Sequence, residues 1–163
     1  MPTTKPTCVV ADDHAIVREA IVLRLLDEGF VDVVSEARNG IEAIEQISMF
    51  EPTIALIDLR MPAATGIEVA KFSAASGLAT KVIIYSACVD ASMVDAARAA
   101  GAHGYIAKEA PSELFAATIR AVLAGGEFID ASRPGDAAAP VLATVLERVL
   151  GHARQSRPVS EAC

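Results

Sequence analysis

Short apolar runs alternate along the first two thirds of the chain with longer segments in which apolar residues return every three or four positions. The first run is Cys8-Val9-Val10-Ala11, and the second spans Val31 to Val34. The third is Ile54-Ala55-Leu56-Ile57, the fourth Val82-Ile83-Ile84-Tyr85, and the fifth Gly104-Tyr105-Ile106-Ala107. Runs that are apolar throughout, without alternation, suit strands of a parallel sheet covered by helices on both faces.

The intervening segments carry helical spacing. Ile16, Ala20, Leu23 and Leu26 recur at that period, with Arg18, Glu19 and Arg24 among the polar positions. Asn39-Gly40 opens a segment holding Ile41, Ala43, Ile44 and Ile47, and Gly66 opens one with Ile67, Val69, Ala70 and Phe72. Asp90 or Ser92 is placed to cap a helix that runs to Ala100 and stops at Gly101. Pro111-Ser112-Glu113 suits the start of a last helix containing Leu114, Phe115, Ile119, Val122 and Leu123, which Gly125-Gly126 ends. Five βα units in succession predict an α/β fold with a doubly wound, five-stranded parallel sheet of flavodoxin-like order 2-1-3-4-5.

Composition changes after Gly126. Residues 127–140 are polar, with Pro134, Gly135 and Pro140, and read as a linker. Val141, Leu142, Val145, Leu146, Val149 and Leu150 then form an amphipathic stripe, before a tail from Gly151 with the composition of a disordered segment. The expected division is a domain over 1–126 and a linker over 127–163 that carries a short helix. A helix of about ten residues is too short to be stable alone, so it is expected to dock, either on the domain or on a second chain as a dimer contact.

Charge narrows the function. The formal net charge of −7 argues against the chain gripping nucleic acid directly, because phosphate binding needs a basic footprint. Cys8, Cys88 and Cys163 lack metal-binding spacing and read as reduced. The N-terminal stretch has no signal-peptide core and no segment is apolar enough for a membrane span, so a cytoplasmic location is expected.

The candidate chemistry sits where the strands end. The first run ends in Asp12-Asp13, the third in Asp58, the fourth in Ser86 and the fifth in Lys108. Open parallel sheets bind ligands beyond the carboxyl ends of their strands, near the point where strand order reverses. In the order 2-1-3-4-5 that point lies between the first and third strands, which deliver Asp12-Asp13 and Asp58 to one pocket. Two carboxylates about 5 Å apart repel by roughly 3 kcal/mol at an effective dielectric near 20, so three of them call for a cation. Oxygen donors favour a hard ion such as Mg²⁺. A carboxylate beside a metal, a lysine and a hydroxyl suits phosphoryl transfer, with the aspartate as nucleophile. Taken singly, Asp12-Asp13 is equally a helix cap, Lys108 a surface charge, and His14 an exposed residue at a helix start.

The stretches VVADDHAIVREAI, IALIDLRMPAATGIEVA, VIIYSA and GYIAKEA resemble the response-regulator receiver domain of two-component signalling over residues 7–125. ADDHAIVREA is similar to the NarL/FixJ (LuxR-type) subfamily of transcriptional regulators. The resemblance implies that Asp58 accepts a phosphoryl group from a sensor histidine kinase. It implies that Asp13, Asp58 and the backbone carbonyl of Arg60 ligate Mg²⁺, with Asp12 acting largely through water. Lys108 would pair with a phosphoryl oxygen, Ser86 would move to hydrogen-bond it, and Tyr105 would swing inward as the second switch residue. Arg60 and Cys88 stand at positions that tune dephosphorylation in this family. Lys108 is followed by Glu109-Ala110 where many receivers have proline, a departure shared with the NarL-like subfamily. That subfamily continues into a helix-turn-helix domain that this sequence does not contain, so any contact with DNA is expected through a domain outside it.

Two other readings use the same residues. A haloacid-dehalogenase-like phosphatase also forms an aspartyl phosphate, but it carries a general-acid aspartate two residues after the nucleophile, where this chain has Arg60. A stand-alone receiver, or a pseudo-receiver acting independently of phosphorylation, would act through protein–protein contact alone.

Overall fold

A computed structural model describes residues 4–125 and 128–132. Strands and helices alternate: β1 (Thr7–Ala11), α1 (Ala15–Glu28), β2 (Asp32–Ala37), α2 (Gly40–Phe50), β3 (Ile54–Asp58), α3 (Gly66–Ala75), β4 (Lys81–Ser86), α4 (Ala91–Ala99), β5 (Gly104–Ala107), α5 (Ser112–Leu123) and β6 (Ile129–Ala131). The sheet order is β2-β1-β3-β4-β5-β6, parallel at every pairing. The flavodoxin-like order therefore holds, with a sixth strand added at the β5 edge. The residues of β6 lie in the stretch expected to be linker. Three residues carry no legible period, and the strand exists through its pairing of Gly104–Ile106 with Ile129–Ala131. The amphipathic stripe at 141–150 lies outside the described residues.

The all-apolar runs occupy the middle of the sheet. Val9, Val10, Leu56, Ile57, Ile83, Ile84 and Ile106 are fully buried. Side chains alternate between two layers. Val9, Ala55, Ile57, Val82 and Ile84 meet α2, α3 and α4 through residues such as Ile47, Val69 and Val94. Val10, Leu56, Ile83 and Ile106 meet α1 and α5 through Ile21, Leu25, Phe115 and Ile119. The second strand differs from expectation. It runs on to Ala37 and alternates in exposure, because it is the sheet edge and is only partly covered by the helices on either side, where Glu36 meets Arg18 of α1 and Ser35 meets Gln46 of α2.

The first helix presents the opposite face to the one its period suggests. Ile21 and Leu25 are buried, whereas Ile16, Leu23 and Leu26 are 82 %, 64 % and 58 % exposed. Both faces of α1 carry apolar residues, so spacing alone does not choose between them. Arg24 reinforces the buried side: its guanidinium donates to the Ala110 carbonyl at 2.8 Å and covers the Phe115 ring at 4.2 Å. No helix among the described residues is long and apolar enough to cross a membrane.

Helix starts follow local chemistry. Asn39 accepts the Glu42 amide and opens α2. Thr65 and Glu68 form a reciprocal capping box at α3. Asp90 stands at the N-cap of α4 without a side-chain bond to the helix.

Candidate functional site

The carboxyl ends of β1, β3, β4 and β5 converge, and the strand-end residues meet there. Asp12 follows β1 directly; its amide donates to the Ala37 carbonyl at 3.1 Å, which continues the pairing with β2. Its carboxylate is fully buried and divides its two oxygens between partners. Oδ1 accepts the His14 amide at 2.8 Å, and Oδ2 accepts the Lys108 ammonium at 2.7 Å. The same ammonium stands 3.0 Å from Asp58 Oδ1. Lys108 thus bridges the ends of β1 and β3 from a position just after β5.

Four other features hold this arrangement. The Lys108 amide donates to the Ser86 carbonyl at 2.8 Å, and the Tyr85 hydroxyl donates to the Lys108 carbonyl at 3.2 Å. The loop after β3 folds back tightly: the Gly66 amide donates to the Leu59 carbonyl at 2.9 Å. A Cβ at Gly66 would stand 2.5 Å from the Asp58 carbonyl oxygen, so glycine is required for α3 to start beside the strand end. Gly40 approaches the backbone of Ala64 more closely still, which lets α2 brace the same loop.

The acidic groups outnumber the cation that contacts them. Asp13 is partly exposed and faces His14 Nδ1 at 3.0 Å. Donor atoms of Asp12, Asp13 and His14 lie within 4.8 Å of one another. Burial raises the pKa of Asp58 above the ordinary carboxylate value; the hydrogen bond and charge of Lys108 oppose the rise, and Asp12 and Asp13 add to it. Burial works to lower the pKa of Lys108, but its bonds to Asp12 and Asp58 prevail and lift it above the usual lysine value. Two buried carboxylates and a half-exposed third, served by one lysine, form a donor set that fits a hard divalent cation.

A cleft of about 410 Å³ opens over this cluster, with His14, Asp58, Arg60, Ser86, Cys88 and Lys108 in its lining. Arg60 is exposed at the rim. Ser86 is buried, and its Oγ accepts the Cys88 amide at 3.0 Å. The inward position expected of Tyr105 is already taken: the ring is fully buried, and its hydroxyl donates to the Cys88 carbonyl. Burial raises the Tyr105 pKa, a hydrogen bond with Ser86 opposes this, and Cys88, Asp58 and Asp90 add to it.

Sequence reasoning thus brought together Asp12, Asp13, Asp58, Ser86 and Lys108, with Arg60 and Tyr105 beside them. It passed over Arg18, whose guanidinium reaches the Asp12 carbonyl, and Tyr85, which holds the Lys108 backbone. Neither carries a local sign, because each acts on a residue from another element.

Residues 8–120 match the family model described as "Response regulator receiver domain", and the chain belongs to that family. Among curated proteins it is 35 % identical over 120 residues to the transcriptional regulatory protein LnrK of Bacillus subtilis, covering 72 % of this chain and 54 % of LnrK. It is 34 % identical over 123 residues to the oxygen regulatory protein NreC of Staphylococcus aureus, covering 75 % of this chain and 57 % of NreC. The chain spans about half the length of these relatives. Among solved structures, the signal receiver domain of the putative response regulator NarL from Mycobacterium tuberculosis superposes with a TM-score of 0.72 at 34 % identity, covering 75 % of this chain and 98 % of that one. A LuxR-family two-component response regulator from Aurantimonas sp. superposes with a TM-score of 0.74 at 27 % identity, covering 90 % and 99 %. The class is therefore a receiver domain of the NarL/LuxR type.

Proposed function

We propose that this domain accepts a phosphoryl group on Asp58 from the phosphohistidine of a sensor histidine kinase and converts it into a conformational signal. The observation that carries the reading is the position of Lys108 Nζ, 2.7 Å from Asp12 Oδ2 and 3.0 Å from Asp58 Oδ1. One cation between two strand ends holds the acceptor carboxylate at the floor of an open cleft, ready to pair with an incoming phosphoryl oxygen.

In the proposed transfer, an Asp58 carboxylate oxygen attacks phosphorus while the bond from phosphorus to the histidine nitrogen breaks. The bonding pair returns to the imidazole ring. Lys108 stabilises the negative charge on the transferring oxygens. Asp13, Asp58 and the carbonyl of Arg60 would hold Mg²⁺, with Asp12 behind a water; when bound, the ion supplies charge neutralisation at the phosphoryl oxygens. After transfer, Ser86 turns its hydroxyl from the Cys88 amide to the new phosphoryl oxygen. Tyr105, bonded to the Cys88 carbonyl, feels that turn because both residues hold the same peptide segment. Phosphorylation then shifts the population of β4–α4 loop conformations.

The half-length match to transcriptional relatives supports a transcriptional output, with a helix-turn-helix module outside this sequence making the DNA contact. The site acts as a switch in the cytoplasm and not as a turnover enzyme. Arg60 stands where a phosphatase of the aspartyl-phosphate type would place its general acid, and a guanidinium has no proton to lend at neutral pH.

The test is labelling with acetyl phosphate, or occupancy by beryllofluoride, in the presence of Mg²⁺. The wild-type protein is expected to gain one modification that Asp58→Ala abolishes. Undiminished labelling in Asp58→Ala would overturn the assignment.

A further inference from the structure

Arg18 projects from α1 towards the junction of β1 and β2, and two of its nitrogens are engaged. One donates to the backbone carbonyl of Asp12 at 2.8 Å. Nε donates to Glu36 Oε2 at 2.9 Å, and the side chain is 13 % exposed. Arg18 therefore clasps three elements: its own helix, the residue that leaves β1, and the end of β2.

The bond to Asp12 falls at a sensitive point. The Asp12 amide is held by Ala37, and its carboxylate is held by Lys108 and the His14 amide. Its carbonyl is the remaining polar group, and it begins the peptide that carries Asp13. With the guanidinium on that carbonyl, the Asp12–Asp13 peptide is fixed at the start of the turn into α1. Lysine would replace this contact poorly, because its donors all sit on one nitrogen, whereas Arg18 reaches its two acceptors from two separate nitrogens of a rigid plane. Glu36 orients the fork by accepting from its Nε.

We infer that Arg18 is a positioning residue for the cation site: it holds the Asp12–Asp13 peptide and so fixes where both carboxylates stand, and Glu36 serves only to aim it. The inference rests on the proposal that these aspartates bind Mg²⁺. Supporting carboxylates from a shell outside the ligands commonly changes metal affinity by about 10–100-fold. The effect is thus expected in binding before any chemistry takes place.

The experiment is calorimetric titration of the whole chain with Mg²⁺, alongside thermal unfolding in EDTA. The variants are Arg18→Met, which keeps the alkyl stem and loses both bonds, and Glu36→Gln, which keeps an acceptor for Arg18. Arg18→Met is expected to bind Mg²⁺ at least tenfold more weakly, with Glu36→Gln within twofold of wild type. Equal affinity in folded Arg18→Met would overturn the inference, as would an equal loss in both variants, which would mark general loosening of the β1–β2 junction. If Arg18→Met does not fold, Arg18→Lys carries the same comparison, with at least a threefold loss expected and wild-type affinity overturning the inference. Absence of Mg²⁺ binding by the wild-type protein would instead remove the functional proposal on which the inference stands.

Discussion

The Lys108 ammonium lies 3.0 Å from Asp58 Oδ1, and the same nitrogen holds Asp12, which places one positive charge between the ends of two adjacent strands. Removing that charge leaves Asp12 and Asp58 opposed in a buried setting. Lys108→Met is expected to lower stability in EDTA by about 3–5 kcal/mol, in the range for breaking a buried ion pair. Mg²⁺ is expected to restore part of the loss, because a bound cation stabilises only the folded state. Denaturant unfolding with and without the metal measures both. Phosphorylation by acetyl phosphate is expected to fall steeply in the same variant.

The raised pKa of Asp58 gives a pH dependence with a definite sign. The folded protein holds this proton more tightly than the unfolded chain does. The group's contribution to stability is therefore greatest below the unfolded value, and it is lost as pH rises from there through the folded value. At neutral pH, ionised Asp58 costs about 1.4 kcal/mol for each unit by which its pKa is raised. Asp58→Asn is expected to be more stable than wild type at pH 7 in EDTA, with the advantage vanishing near pH 3. Paired unfolding curves across that range check it, and an advantage that persists at low pH would point to packing as its source.

Backbone strain beside Asp58 makes a third case. Ala63 in the β3–α3 loop has φ of 71°, a left-handed conformation that an alanine side chain disfavours. Ala63→Gly is expected to stabilise the fold by up to about 1 kcal/mol. Gly66→Ala works in reverse, because its Cβ would press on the Asp58 carbonyl oxygen. It is expected to cost about 2 kcal/mol or more and to reduce labelling of Asp58. Thermal midpoints of the two variants are expected to move in opposite directions.

The two apolar faces of α1 can be told apart by substitution. Ile21 is buried against the sheet, and Leu23 is 64 % exposed. Ile21→Ala is expected to cost about 2–5 kcal/mol. Leu23→Glu is expected to change stability by about 0.5 kcal/mol or less. Similar losses in both variants would contradict the burial assignment.

Tyr105→Phe removes the hydroxyl that holds the Cys88 carbonyl while keeping the buried ring. A loss of about 1 kcal/mol is expected for the hydrogen bond. Labelling of Asp58 is expected to be unaffected, since Tyr105 does not touch it, while protection of the amides around Cys88 in hydrogen exchange falls.

Local order wrote much of this domain into its sequence. Cys8–Ala11, Ile54–Ile57 and Val82–Tyr85 are apolar throughout because both of their faces are covered, and a chain with that pattern has few alternatives to a parallel sheet. Asp12, Asp58, Ser86 and Lys108 follow such runs directly, so any parallel arrangement of those strands collects them at one end. The rest depended on contacts between elements that are distant in the chain. Ile16, Leu23 and Leu26 have the same helical period as Ile21 and Leu25, and only the sheet surface decides which set is covered. β6 is three residues long and depends on the β5 edge for its partner. The grip of Arg18 on the Asp12 carbonyl, of Tyr85 on the Lys108 carbonyl and of Tyr105 on the Cys88 carbonyl each targets a backbone oxygen. Every residue type offers that acceptor, so side-chain identity carries no mark of it, and only the folded chain determines which carbonyl comes within reach.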